Sequence, residues 1–111
     1  MKKYHDSLIE ALQNPEEAAE YLNAALEEGD TEMLLVALRN VAEAHGGMSK
    51  VSRETELNRA NLYKMLSKNG NPEIKTLDQV LHIFGLRVLI TTIKKSQRLS
   101  TELEDYYYEK N

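Results

Sequence analysis

Four polar residues in one short stretch, Asn58, Arg59, Asn61 and Lys64, have the right chemistry to read a nucleic acid. An arginine guanidinium can hold a guanine edge through two hydrogen bonds, and an asparagine amide can hold adenine the same way. Arg59 and Asn61 are therefore the best base readers, with Asn58 and Lys64 beside them. Ala60 is small enough to allow close approach. Upstream, Ser49 and Lys50 can grip phosphate through a short hydroxyl, an ammonium and the free amides at a helix start. Downstream, Lys68, Asn69 and Asn71 lie in a polar loop and can reach a flanking phosphate. Any one of these side chains alone would be ordinary solvated surface; their arrangement carries the argument.

The residues between them predict the elements that would position them. Met48 to Glu54 fits a short helix with Val51 inward. Thr55-Glu56-Leu57 fits a tight turn locked by Leu57. Asn58 is a helix cap, and Leu62, Met65 and Leu66 then recur on one inward face. Two short helices joined by a tight turn form a helix-turn-helix, which places its second helix in the major groove of double-stranded DNA. The net charge of -4 at first opposes that reading. Its distribution supports it. Residues 1–46 hold three Lys/Arg and ten Asp/Glu, residues 47–99 hold ten and four, and residues 100–111 hold one and four. A locally basic block attracts phosphate whatever the total.

The remaining chain predicts the frame. With 111 residues, 41% of them apolar, it suits one domain with a modest aliphatic core. Leu8, Ile9 and Leu12 fit a short helical extension over residues 1–13. Asn14-Pro15-Glu16-Glu17 is a helix start, and Ala18, Leu22, Ala25 and Leu26 follow at helical spacing. Gly29 stops that helix and Asp30 caps the next, striped by Leu34, Leu38, Val41 and Ala42. Ser67 to Pro72 reads as a loop. A further helix runs from about Ile74 to Phe84, with Ile74, Leu77, Leu81 and Phe84 on one face and Gly85 at its end. Residues 86–93 are rich in β-branched side chains and favour a single strand, which needs a partner such as the same strand of a second subunit. The expected fold is all-α, with five or six helices and one C-terminal strand. Its core is Leu22, Leu26, Leu38, Val51, Leu62, Leu66, Leu77, Leu81 and Phe84. Residues 14–93 would form the domain and residues 94–111 a polar tail.

Four segments give a family resemblance. They are Glu17 to Leu26, Leu38 to Ser49, Leu57 to Leu66, and Gly70-Asn71-Pro72 followed by Thr76-Leu77 and Gly85-Leu86-Arg87. In that order they resemble the addiction-module antidote family, HigA-like antitoxins with a lambda-repressor-type helix-turn-helix. The resemblance implies a DNA-binding domain that dimerises. It also implies a partner toxin, usually a small RelE-like or HigB-like ribonuclease, which the antidote neutralises while repressing the shared promoter. Two positions depart from the pattern. Glu56 stands where the turn usually carries Gly, at a cost on the order of 1 kcal/mol if that site is left-handed. Ser52 stands where Ala is usual, and its hydroxyl can bond back to a helical carbonyl.

Other classes find little support. His5, His45 and His82 lack metal-ligand spacing, cysteine is absent, and no glycine loop fits a phosphate. No enzymatic activity, metal or cofactor is expected. No signal peptide or membrane-length apolar run is present, so a cytoplasmic protein is expected. Two readings compete: an autoregulating antitoxin that binds operator DNA and a toxin, and a protein-interaction module of helix-turn-helix shape without DNA binding. The basic block favours the first. The expected toxin surface is acidic: Glu16, Glu17, Glu20, Glu27 and Glu28, with the tail around Tyr106 to Tyr108 as the second choice.

Overall fold

The computed structural model describes residues 3–93. Within them are six helices: α1 (Tyr4–Ala11), α2 (Pro15–Glu27), α3 (Thr31–Ala44), α4 (Met48–Thr55), α5 (Arg59–Met65) and α6 (Ile74–Ile83). The starts of α2 and α3 are chemically enforced. The Asn14 side chain accepts from the amides of Glu16 at 2.8 Å and Glu17 at 3.3 Å, and Pro15 occupies the first turn. Asp30 does the same for Glu32 at 2.9 Å and Met33 at 3.5 Å.

Helices α3 and α6 end alike. The amide of Gly47 bonds to Ala42 O and that of Gly46 to Glu43 O; the amide of Leu86 bonds to Leu81 O and that of Gly85 to His82 O. This double bond pattern needs a left-handed residue after the cap, supplied by Gly46 and Gly85. The turn after α3 thus redirects the chain into α4.

Helix α2 packs on α3, and α1 packs on α3 as well; α3 touches α4, which carries α5 on one side and α6 on another. Leu22, Leu38, Val51, Leu62, Leu66, Leu81 and Phe84 are buried in one core, as expected. Leu26 departs from expectation: it is 57% exposed. The buried stripe of α2 is Ala18, Leu22 and Ala25, and a helix turns about 100° per residue, so Leu26 falls off that face. Ile74 is exposed and Leu77 only half-buried. Leu35 and Val80 take core places that the periodicity did not single out, and Leu12, expected on the apolar face of the N-terminal extension, joins the same core.

The expected strand over residues 86–93 is not formed. These residues carry no regular secondary structure, and no strand occurs among the described residues. Among the described residues this segment has no ladder to join. The polar tail expected over 94–111 lies outside the described residues. Among the described residues, no helix is long and apolar enough to cross a membrane.

Candidate nucleic-acid interface

The α4–α5 unit is held by its turn. Glu56 adopts φ 61°, the left-handed region, and is the sole non-glycine residue of positive φ among those described. Side chains on α4 offset that strain. The Ser52 hydroxyl donates to the carbonyl of Leu57 at 2.8 Å. It therefore reaches forward across the turn rather than back to a helical carbonyl. The Thr55 hydroxyl donates to Val51 O at 2.8 Å and accepts from the amide of Leu57 at 3.3 Å. Leu57 is fixed through both its backbone groups.

Helix α5 begins where the sequence places it. The Asn58 side-chain oxygen accepts from the amide of Asn61 at 3.1 Å. Asn58 is thus a cap first, and its amide nitrogen is the group left for a ligand. Leu62 and Leu66 are buried beneath, while Arg59, Asn61 and Lys64 are exposed. Two contacts hold the far end. The guanidinium of Arg39 on α3 donates to the carbonyl of Leu66. The Ser67 hydroxyl donates to Lys64 O at 2.8 Å. The chain then passes so close to α5 that a Cβ on Gly70 would collide with the carbonyl oxygen of Met65.

This close passage brings the loop against α5 and creates an open cleft of about 580 Å³. Asn58, Asn61 and Lys64 line it from α5 and its cap, Asn69 and Asn71 line it from the loop, and Glu73 and Thr76 line it as well. The structure therefore gathers five of the residues singled out by sequence, Asn58, Asn61, Lys64, Asn69 and Asn71. Arg59 stands beside them, its guanidinium carbon 5.5 Å from the centroid of the Tyr63 ring. Lys68 is exposed outside the cleft lining. On α4, Ser49 is half-buried, and Lys50 is exposed with its ammonium 4.0 Å from Glu54. The Gly47 cap of α4 offers no side chain, so its first amides have no side-chain acceptor.

Sequence reasoning missed three contributors here: Tyr63, Arg39 and the steric demand on Gly70. The i,i+4 spacing of Arg59 and Tyr63 was legible; the other two depend on tertiary approach. His45 is a further unassigned residue. It follows α3, its ring centroid is 4.9 Å from that of Phe84, and its Nε2 is buried with no hydrogen-bond partner. Burial holds its pKa below 6.5, the Lys50 charge adds to that, and Glu54 acts in the opposite sense.

Comparison with known proteins bears on this geometry. The profile of the family described as "Probable addiction module antidote protein" matches residues 2–92. An "Uncharacterized protein" of Haemophilus influenzae is 38% identical over 80 residues, covering 72% of this chain and 81% of the relative. No solved structure matches.

Proposed function

The chain belongs to the probable addiction module antidote family, and from that premise we propose that it is a sequence-specific DNA-binding antitoxin. On this reading it represses its own operon and neutralises a RelE- or HigB-like toxin. The observation that carries the DNA half is the cleft along α5. It joins side-chain amides able to pair with adenine to a lysine, beside an arginine able to pair with guanine. Arg59 and Asn61 read bases, with Asn58 and Lys64 supporting them. Ser49, Lys50, Lys68 and Asn71 hold phosphate and set the register.

Residues 86–93 supply the dimer contact. Val88, Leu89 and Ile90 are exposed, Ile90 at 93%. Two copies paired there about a two-fold axis would present two α5 helices to half-sites about 34–36 Å apart, one DNA turn. The toxin docks on α2 and its C-cap, where Glu16, Glu17, Glu20, Glu27 and Glu28 are all exposed. A ribonuclease that handles RNA has a basic working surface, and opposite charge speeds encounter and selects partners. Acting on DNA and on a ribonuclease places the protein in the cytoplasm.

The test is a gel shift with the double-stranded DNA upstream of the chain's own gene, run with wild type and Arg59→Ala. Loss of about 1–3 kcal/mol of affinity is expected for the variant. Failure of the wild type to shift that DNA would favour the interaction module without DNA binding. Co-purification with the product of the adjacent open reading frame tests the toxin half. Reversing Glu16, Glu17 and Glu20 to Lys should weaken the pair while leaving the gel shift intact. Deleting α2 is a poor substitute, because Ala18, Leu22 and Ala25 belong to the core.

A further inference from the structure

An arginine that must meet DNA poses a problem of restraint. Its long side chain has many rotamers, and much of that freedom is lost on binding. A carboxylate neighbour would fix it, but would also cancel the charge it brings to guanine and phosphate. Arg59 has no carboxylate salt-bridge partner among the described residues. The ion pairs there join His5 to Glu43, Lys50 to Glu54 and His82 to Asp78. Its neighbour is instead an aromatic face. Tyr63 sits one helical turn on, and the guanidinium carbon lies 5.5 Å from its ring centroid. The ring is 45% exposed and contributes nothing to the buried core. Its position is on the same exposed side of α5 as Arg59, so burial does not account for an aromatic residue there.

We propose that Tyr63 is the positioning residue for Arg59: its ring holds the guanidinium in a readout-competent orientation without neutralising its charge. The inference rests on the DNA-binding reading. Cation–π attraction supplies the restraint, and the ring's lack of net charge leaves the cation available. Arg59 then meets the base edge with part of its ordering cost already met, the general benefit of preorganisation. The benefit appears as base discrimination, since a correctly aimed fork separates guanine from the other bases, whereas a loosely held cation attracts any phosphate.

The experiment measures binding of full-length wild type, Tyr63→Phe, Tyr63→Leu and Tyr63→Ala to the duplex upstream of the chain's own gene and to duplexes with single guanine replacements. Circular dichroism confirms that each variant is folded. Tyr63→Leu and Tyr63→Ala should bind about two- to thirtyfold more weakly, with a shrunken penalty for the guanine replacement, and Tyr63→Phe should stay within about twofold of wild type. In an Arg59→Ala background, Tyr63→Leu should cost nothing further, because the two residues act as one unit. The free protein gives a separate reading. Ring current from Tyr63 should displace the Arg59 side-chain proton resonances, and Tyr63→Leu should remove that displacement. Equal losses with and without Arg59, or a Tyr63→Phe loss matching Tyr63→Leu, would overturn the proposal. So would undisplaced Arg59 resonances in the free wild type. A wild type that binds none of the duplexes overturns the DNA-binding reading and the role of Tyr63 with it, whereas wild-type binding unaffected by Tyr63→Leu overturns the positioning role alone.

Discussion

Helices α2 and α3 run to 13 and 14 residues, whereas α4 and α5 run to 8 and 7. The long pair begins with side-chain caps and buries small and aliphatic residues between its members. The short pair is below the length at which a helix persists alone in water, about 12–15 residues. It survives through particular contacts: two hydroxyls across the turn, one asparagine cap, an arginine reaching over from α3, and a loop pressed against α5. The comparison shows where the polar face of α5 comes from. A helix held at its ends and by two buried leucines can leave its remaining positions to solvent, and Arg59, Asn61, Tyr63 and Lys64 occupy them.

The comparison can be broken most forcibly at a leucine. Leu62 on α5 is 1% exposed, so Leu62→Ala should lower stability by about 2–5 kcal/mol in urea unfolding. Leu26→Ala on the longer α2 should cost about 0.5 kcal/mol or less, since that side chain is largely outside the core. Equal costs would contradict the packing described.

Gly70→Ala comes next. A methyl group meeting the Met65 carbonyl must push the loop away, at about 1–3 kcal/mol by the usual cost of overpacking. Thermal unfolding would record it. Opening of the cleft should also weaken DNA binding by more than the stability loss explains.

Glu56→Gly acts in the opposite direction. Relief of the left-handed backbone should stabilise the protein by about 1 kcal/mol. No gain in the urea midpoint would mean that the extra freedom glycine gives the unfolded chain cancels the relief.

The smallest effect is pH-dependent. His45 has a native pKa below its ordinary 6.5, chiefly through burial. The unfolded chain then binds its proton more readily than the native one. The His45 contribution is therefore full above about pH 6.5 and is lost as the pH falls through 6.5 toward the lower native value. Unfolding midpoints of wild type and His45→Gln, compared between about pH 5 and 7, should diverge with pH, the wild type weakening faster on acidification. Parallel curves would show that His45 titrates alike in both states.

Local signals in the sequence were strong at boundaries. Asn14, Asp30 and Asn58 each cap the helix that they were expected to cap, because capping is an interaction across two or three residues. The left-handed turn at Glu56 was foreshadowed only through the family resemblance, whose pattern carries Gly there. Signals dependent on azimuth were weaker: Leu26 and Ile74 share the helical period of their neighbours yet miss the core by a fraction of a turn. The β-branched run at 86–93 expressed a strand preference that no strand among the described residues meets. At the site, residue types were readable, and so was their gathering onto one helix. The loop's part in the cleft was not, because it depends on how closely Gly70 lets the loop approach.

The stretch from Arg87 to Thr92 has a consequence measurable with deuterium. Among the described residues, no backbone hydrogen bond reaches Arg87 to Thr92. In a solitary protomer, the amide protons there would exchange with solvent nearly as fast as those of an unfolded chain. Antiparallel association would slow every second amide, the ones directed at the facing copy, and leave the alternate ones fast. Isotope uptake at a handful of adjacent positions would then gauge how much of the population is assembled at a given dilution, and the alternation would reveal the pairing register without crystallisation.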